Sequence, residues 1–387
     1  MKKSFYAVCV FLSLLLFALF STSQGVLLTP IVNFYSLTES SQGAPNAAMN
    51  IGCTIALLSS LFVMGRISKP KLLVIFTVTA VLFILPAALK PSFTVFTILY
   101  LCIGISLGYL DTLSSSAIAD LFTGKRGSVM MGILHAMFGI GGMLTPILIG
   151  SLMDRGLAWN YVYLIIGGLG ILLCLYIIPV GRNWIKNDVA VKTVAPKLSR
   201  DTLRRFLGDR ENLTILLATV LYAFYFGGIT VWTGRFIEHE LDGGAMGAIS
   251  LSLFWLGITL CRTFSPMLKI TPLRYLQVSC IIGAAVLVPG VLSGNAYIMG
   301  AAAALTALLA GAYIPMTLHL CCDRFRENTM LVTTAVLLCV YGGQALGPAL
   351  IGKIESLSSI AYAMLTTPVA LALSGIALLT VKEMKNS

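Results

Sequence analysis

Asp111 is the one carboxylate in Phe93 to Ala119 (FTVFTILYLCIGISLGYLDTLSSSAIA), a stretch that carries no other charge and is long enough to cross a bilayer. A charge held in hydrocarbon is costly, and where one persists it marks an ion path, a substrate path or a proton relay. Desolvation favours the neutral form of a carboxyl and hydration the ionised form. An acid that opens to water first on one side and then on the other can therefore carry a proton across, which makes Asp111 the leading proton-coupling candidate. Gly104, Gly108, Asp111 and Ser115 follow at spacings of 4, 3 and 4 and so share one helix face. That face reads in two ways: as a close helix contact built from small residues, with Asp111 held by hydroxyls, or as the wall of an aqueous cavity. The glycines suit the first reading and the acid suits the second.

A second stripe follows at Gly132, His135, Gly139, Gly142, Pro146 and Gly150, with spacings of 3, 4, 3, 4 and 4. Glycine and proline there allow close approach and bending. His135 has two open roles: hydrogen-bonding to a substrate or pairing with Asp111 in proton coupling, or simple satisfaction by a backbone carbonyl. The few amides inside apolar stretches include Gln24, Asn50 and Gln344. Tyr222, Tyr225, Trp232 and Phe236 fall on one face of a later helix, a pattern that serves a ligand platform, core packing or lipid contact. The candidate substrate-binding set is Gln24, Asn50, Tyr225, Trp232 and Gln344. Gly65, Arg66 and Lys69, with Lys71, form a basic turn that either sets topology or gates the cytoplasmic side. Arg262 and His319 stand near helix ends, where snorkelling accounts for them.

These residues need spans to position them. Of the 387 residues, 58% are hydrophobic and only 11% charged, too little polar surface for a soluble globule. About 20 apolar residues cross the ~30 Å hydrocarbon layer. Windows of that kind lie near 6–31, 46–64, 72–89, 93–119, 128–153, 159–180, 213–236, 245–264, 274–293, 296–319, 329–352 and 359–381, which predicts an all-α integral membrane protein with twelve transmembrane helices. The first window opens like a signal peptide but runs on through Gly25-Val-Leu-Leu to Pro30, so it is read as an uncleaved first span. With the amino terminus inside, interior loops and tails hold 22 of the 26 Lys and Arg residues. That bias predicts both termini in the cytoplasm. The net charge of +11 is then topological, and no nucleic-acid partner is expected. The nine cysteines show no metal-ligand spacing with histidine, so packing accounts for them and neither metal nor cofactor is expected.

Gly181 to Asn212 is the one long polar segment, read as a cytoplasmic linker with a short surface helix around Arg200 to Leu207. It divides the chain into residues 1–180, 181–212 and 213–387, with six spans on either side. Pro146-Ile-Leu-Ile-Gly150 reappears as Pro348-Ala-Leu-Ile-Gly352, 202 residues later, and Arg66 is echoed by Arg262 at an offset of 196. Similar offsets at independent places indicate one internal repeat. Pro348 and Gly352 thereby join Gly104, Gly108, Gly139, Gly142, Pro146 and Gly150 as packing and bending positions. Two homologous six-helix bundles about a cavity at mid-depth describe an alternating-access carrier.

The chain resembles the major facilitator superfamily over its whole length. Within it, the chain is similar to bacterial sugar permeases of the fucose:proton symporter and glucose/mannose permease type. The resemblance rests on Gly25-Val-Leu-Leu-Thr-Pro30 through Leu37-Thr38, Gly108-Tyr-Leu-Asp111-Thr112, Leu134-His135-Ala-Met-Phe-Gly139-Ile-Gly141-Gly142 and Ser252-Leu-Phe-Trp255-Leu-Gly257. It implies two pseudo-symmetric six-helix bundles in a bacterial inner membrane, a monomer, a sugar-like small-molecule substrate, and protons as the coupling partner through an acid at Asp111. The sequence departs from that pattern in three places. Gly25 and Ile229 stand where relatives carry acids, and the loop signature survives as Gly65-Arg-Ile-Ser-Lys69-Pro-Lys71 without its acid. The region from Gly139 to Gly150 is also similar to the fifth-helix motif of drug/proton antiporters, which leaves export of a less polar compound open. No Gly-x-x-x-x-Gly-Lys-[Ser/Thr] is present for an ATP-driven pump. An intramembrane enzyme using Asp111 and His135 would lack a paired nucleophile. A sensor would lack an output domain, since a linker of this length cannot build its own core.

Overall fold

The computed structural model describes residues 3–63, 66–122, 124–187, 200–265, 268, 270–325 and 329–383. The helices are α1 (Lys3–Tyr35), α2 (Ala44–Val63), α3 (Lys69–Ala87), α4 (Phe93–Leu121), α5 (Gly124–Asp154) and α6 (Tyr161–Asn187). They continue as α7 (Arg200–Gly208), α8 (Arg210–Arg235), α9 (Met246–Phe264), α10 (Pro272–Leu292), α11 (Ala296–Ala310), α12 (Tyr313–Arg324), α13 (Thr329–Glu355) and α14 (Ile360–Leu378). Eleven spans among the described residues are long and apolar enough to cross a membrane. The 20-residue α2 completes the twelve expected from hydropathy.

The local chemistry explains why these stretches are helical. In hydrocarbon each backbone polar group must be satisfied within its own segment. Hydroxyls inside the spans follow the same rule by donating back to their own helix, as Ser13 does to the Cys9 carbonyl at 2.8 Å and Thr219 to that of Ile215 at 2.7 Å. Side-chain caps start several helices: Asp209 accepts from the amide of Glu211 at 2.8 Å, and Asn295 from that of Tyr297 at 2.9 Å. Proline occupies the first turn of α3 and of α10, where its missing N–H costs nothing. The polar linker does hold a short helix, α7. Its Phe206 is buried edge-on against Phe325, and the Asn212 amide nitrogen of α8 donates to the Phe206 carbonyl at 3.4 Å.

The contacts divide the chain into two units, Met1–Leu27 with Ala48–Ala195, and Leu28–Ala47 with Pro196–Ser387. In the first unit α3 packs on α4 and α6, around Phe20, Phe96, Tyr100, Trp159 and Tyr163. The Tyr100 and Tyr163 hydroxyls share a hydrogen bond of 2.7 Å. In the second unit α8 packs on α13 and α14, and α11 on α9 and α10. Tyr222 stacks on Tyr313 at 3.9 Å between ring centroids, and the Tyr313 hydroxyl meets Ser374 at 3.1 Å.

The tenth span departs from the single helix expected over 296–319. It breaks at Gly311-Ala312 and resumes as α12. The carbonyls freed by the break are each taken up by a side chain from a different helix. Leu309 accepts from the Tyr275 hydroxyl at 2.7 Å, Ala310 from Tyr222 at 3.0 Å and Gly311 from Arg262 Nε at 3.1 Å. The amide of Ala312 turns to the same Tyr275 oxygen at 3.4 Å. Gly311 also sits against α9, where an added Cβ would stand 2.8 Å from the Ile258 Cα. Irregular backbone at membrane depth persists only where protein satisfies it. Tyr275→Phe should therefore strand the Ala312 amide and leave the Leu309 carbonyl with only the long contact of the Cys261 thiol at 3.8 Å, at a cost of about 1–3 kcal/mol read as a lower unfolding temperature in detergent. An unchanged temperature would show that the break does not depend on this hydroxyl.

Candidate functional site

Asp111 lies on α4 and is partly accessible within the first unit. The glycines before it bring α4 onto the backbone of α2. A Cβ on Gly108 would stand 2.8 Å from the Cys53 Cα and 2.9 Å from the Ala56 Cβ, and one on Gly104 would overlap the Met49 carbonyl. Gly52 makes the reciprocal contact from α2, against the backbone of Leu101. With the helices this close, the Cys53 thiol donates to the Gly104 carbonyl at 3.3 Å, and Asp111 acts electrostatically on the same thiol. The glycines of the stripe thus build a helix contact and deliver the acid to its edge.

Two candidate amides belong to the same neighbourhood. Gln24 is buried on α1, with its amide nitrogen 2.9 Å from Met49 Sδ. Asn50 is buried on α2, one turn from Cys53. Gln24, Met49, Asn50, Cys53, Gly104 and Gly108 are thereby linked from α1 through α2 to the face of α4 that holds Asp111.

Along α5, Gly139, Gly142 and Pro146 are buried and Gly150 is partly so. The close approach to α1 is made by Gly141, whose added Cβ would stand 2.6 Å from that of Ala18, next to an edge-on contact of Phe17 with Phe138. The hydroxyl of Thr145, just before Pro146, donates to the Gly141 carbonyl at 2.5 Å. The side chain of His135 and all of Gly65 lie outside the described residues. Arg66 is exposed, whereas Lys69 donates to the hydroxyl and, at 3.5 Å, to the carbonyl of Ser116, tying the start of α3 to α4.

In the second unit Tyr225 and Trp232 are fully buried on α8. The indole N–H of Trp232 donates to the Pro348 carbonyl at 3.1 Å, and its ring lies 3.2 Å from a Cβ placed on Gly352. Gln344 is partly accessible on α13, with its backbone against Gly227. Pro348 and Gly352 are buried, and they also receive the chain that follows α1. A Cβ on Gly43 would stand 2.6 Å from the Pro348 carbonyl oxygen, and one on Gly352 would stand 2.5 Å from that of Glu39. His319 is exposed and pairs with Asp323 at 3.0 Å.

Sequence reasoning missed two arrangements. One is the clamp of Tyr222, Arg262 and Tyr275 on the broken tenth span, where position alone makes Arg262 a helix-end charge. Set back by the repeat offset of 196 to 202 residues, the break at 310–312 falls on 108–116, the part of α4 that holds Asp111. That correspondence is one available signal, and Pro315, which removes the N–H that the Gly311 carbonyl would accept from, is the other. The other is the buried pair Arg235–Glu355, whose members stand 120 residues apart with no spacing rule to join them.

The family model described as Major Facilitator Superfamily matches residues 10–348. A Protein TsgA homolog of Buchnera aphidicola subsp. Schizaphis graminum is 24% identical over 175 residues, 44% of this chain and 45% of that protein. The match spans about half the length of that relative. Among solved structures, a bacterial homolog of the human lysosomal transporter Spinster superposes with a TM-score of 0.77 at 16% identity, covering 98% of this chain and 97% of that one. The Escherichia coli fucose:proton symporter superposes with a TM-score of 0.68 at 14% identity, covering 99% and 100%.

Proposed function

The chain belongs to the Major Facilitator Superfamily, a multi-pass membrane transporter by family and fold, and on that footing we propose that it is a proton-coupled carrier of a small sugar or sugar derivative. Its setting is the cytoplasmic membrane of a bacterium, with both termini inside and the monomer as the working unit. The bundles 1–180 and 213–387, joined by the linker 181–212, rock to open a mid-depth site to each side in turn. Asp111 carries this reading: an acid within an uncharged span, on a face that glycines hold against α2. The similarity in fold to a fucose:proton symporter supports both the solute class and the coupling ion. Proton loading on Asp111 accompanies solute binding on the outer side, and both leave on the inner side. His135 is assigned to the same proton path. Gln344 is the partly accessible member of the binding set; Gln24, Asn50, Tyr225 and Trp232 are buried, with the Trp232 N–H already engaged, and reach the solute only as the helices move. Arg66 and Lys69, with Gly65, make the cytoplasmic gate.

Ligand binding to the folded form raises apparent stability by mass action. Purified protein screened by thermal shift against L-fucose, D-glucose, sugar acids, amino acids and cationic drugs should respond to a monosaccharide. At 100 times the dissociation constant the stabilisation is about 2.7 kcal/mol. A response confined to hydrophobic cations would replace the sugar reading with that of a proton-driven exporter.

A further inference from the structure

Two opposite charges are buried together in the second unit, on the membrane face opposite the linker. Arg235 closes α8 and Glu355 closes α13. A guanidinium nitrogen stands 3.8 Å from a carboxylate oxygen, and the side chains keep only 14% and 10% of their surface exposed. That separation exceeds a hydrogen bond. Two more atoms of the pair, Arg235 Nε and Glu355 Oε2, are buried with no hydrogen-bond partner among the described residues. A buried ion pair repays its desolvation only with close geometry and with its remaining donors and acceptors satisfied. This pair meets neither condition, so static stability does not account for it.

Its surroundings are acidic. After Arg235 the backbone widens into a π-helical turn, Phe236–Glu240, a rare geometry that is frequent at functional positions. One turn before Glu355, Gly352 lies against the backbone of Glu39 and the ring of Trp232. Glu39, from the chain after α1, and Glu240, from the π turn, both repel the Glu355 carboxylate, while Arg235 attracts it. Lys353 stands on its own helix, His239 lies within the field of Arg235, and α14 contributes no acid or base. Two exposed carboxylates, Glu39 and Glu240, thus press on the largely buried carboxylate that Arg235 holds.

We infer that Glu355 is a proton-binding site separate from Asp111, and that protonating it releases Arg235. A proton taken from solvent neutralises the carboxylate, and no other bond is made or broken. Arg235 then turns to Glu39 or Glu240, both nearer to solvent, so no charge is left buried without a partner. The contact between the ends of α8 and α13 loosens with it, and the π turn is freed. The inference does not depend on what Asp111 does.

The test uses the full chain in lipid nanodiscs. Infrared difference spectra between low and high pH should show a protonated-carboxyl carbonyl band that disappears in Glu355→Gln, shifts in Glu355→Asp and persists in Asp111→Asn. Hydrogen exchange of 236–243, corrected for its intrinsic pH dependence, should quicken several-fold at low pH in the native protein and stay fast at both pH values in Glu355→Gln. Should Glu355→Gln fail to fold, the shift in Glu355→Asp decides. Spectra unaltered by substitution at Glu355, or exchange of 236–243 that does not respond to pH in the native protein, would overturn the inference. Neither readout measures solute transport, so its failure and that of the carrier reading are separable.

Discussion

Asp111→Asn should abolish uphill solute accumulation in energised vesicles while leaving exchange of labelled for unlabelled solute close to native rates. Asn keeps the size and hydrogen-bonding capacity of the acid but cannot bind and release a proton. A membrane potential of about 100 mV is worth about 2.3 kcal/mol per charge moved. One proton carried with a neutral solute therefore sustains a gradient of roughly 50-fold, since about 1.4 kcal/mol corresponds to each factor of ten. In the variant the gradient should collapse to unity. Retained exchange matters as much as lost accumulation, because it shows that the solute site and the rocking motion survive. Loss of both would assign Asp111 to architecture, and an unaltered gradient would remove it from the coupling path.

Gly104→Leu should leave little folded protein. The Cβ alone would overlap the carbonyl of Met49, and that neighbour is helix backbone, which has no rotamer to yield. Overpacking costs about 1–3 kcal/mol where side chains can shift, and here α2 and α4 would have to separate, so the loss should exceed that range. Gly168, on α6, is the internal control, because a Cβ there meets nothing within 4 Å. Gly168→Ala should be neutral or stabilising by up to about 1 kcal/mol through helix propensity. Size-exclusion yield and unfolding temperature in detergent check both variants. A well-behaved Gly104→Leu would mean that α2 and α4 do not meet along this stripe.

The two arms of that comparison show which features were legible beforehand. Hydropathy located every span, because exclusion of water from about 20 consecutive residues leaves a compositional trace. The same trace cannot report backbone continuity. Gly311 and Ala312 are as apolar as their neighbours, so hydropathy is blind to the break; the mark in the window over 296–319 is Pro315, whose missing N–H leaves the Gly311 carbonyl four residues back without a helical partner. The spacing of Gly104, Gly108 and Asp111 gave them a common face, which helical geometry alone guarantees. Which neighbour that face meets depends on tertiary packing, and nothing in the spacing specifies α2. The aromatic stripe on α8 was plain as a pattern, yet the same periodicity serves a ligand, the core or lipid. Its members Tyr222, Tyr225, Trp232 and Phe236 are buried, and two of them donate to carbonyls, of Ala310 and Pro348. Arg235 and Glu355 come together through the pairing of α8 with α13, a relation that no local rule expresses.

Proton movement tied to solute movement is the centre of the account, and it can be observed directly. Protein reconstituted in liposomes with a pH-sensitive dye in the lumen should acidify the interior when L-fucose or another monosaccharide found by the thermal-shift screen is added outside. The signal should be absent from empty liposomes and from liposomes carrying Asp111→Asn. Solute entry without any change of lumenal pH in the native protein would contradict the account.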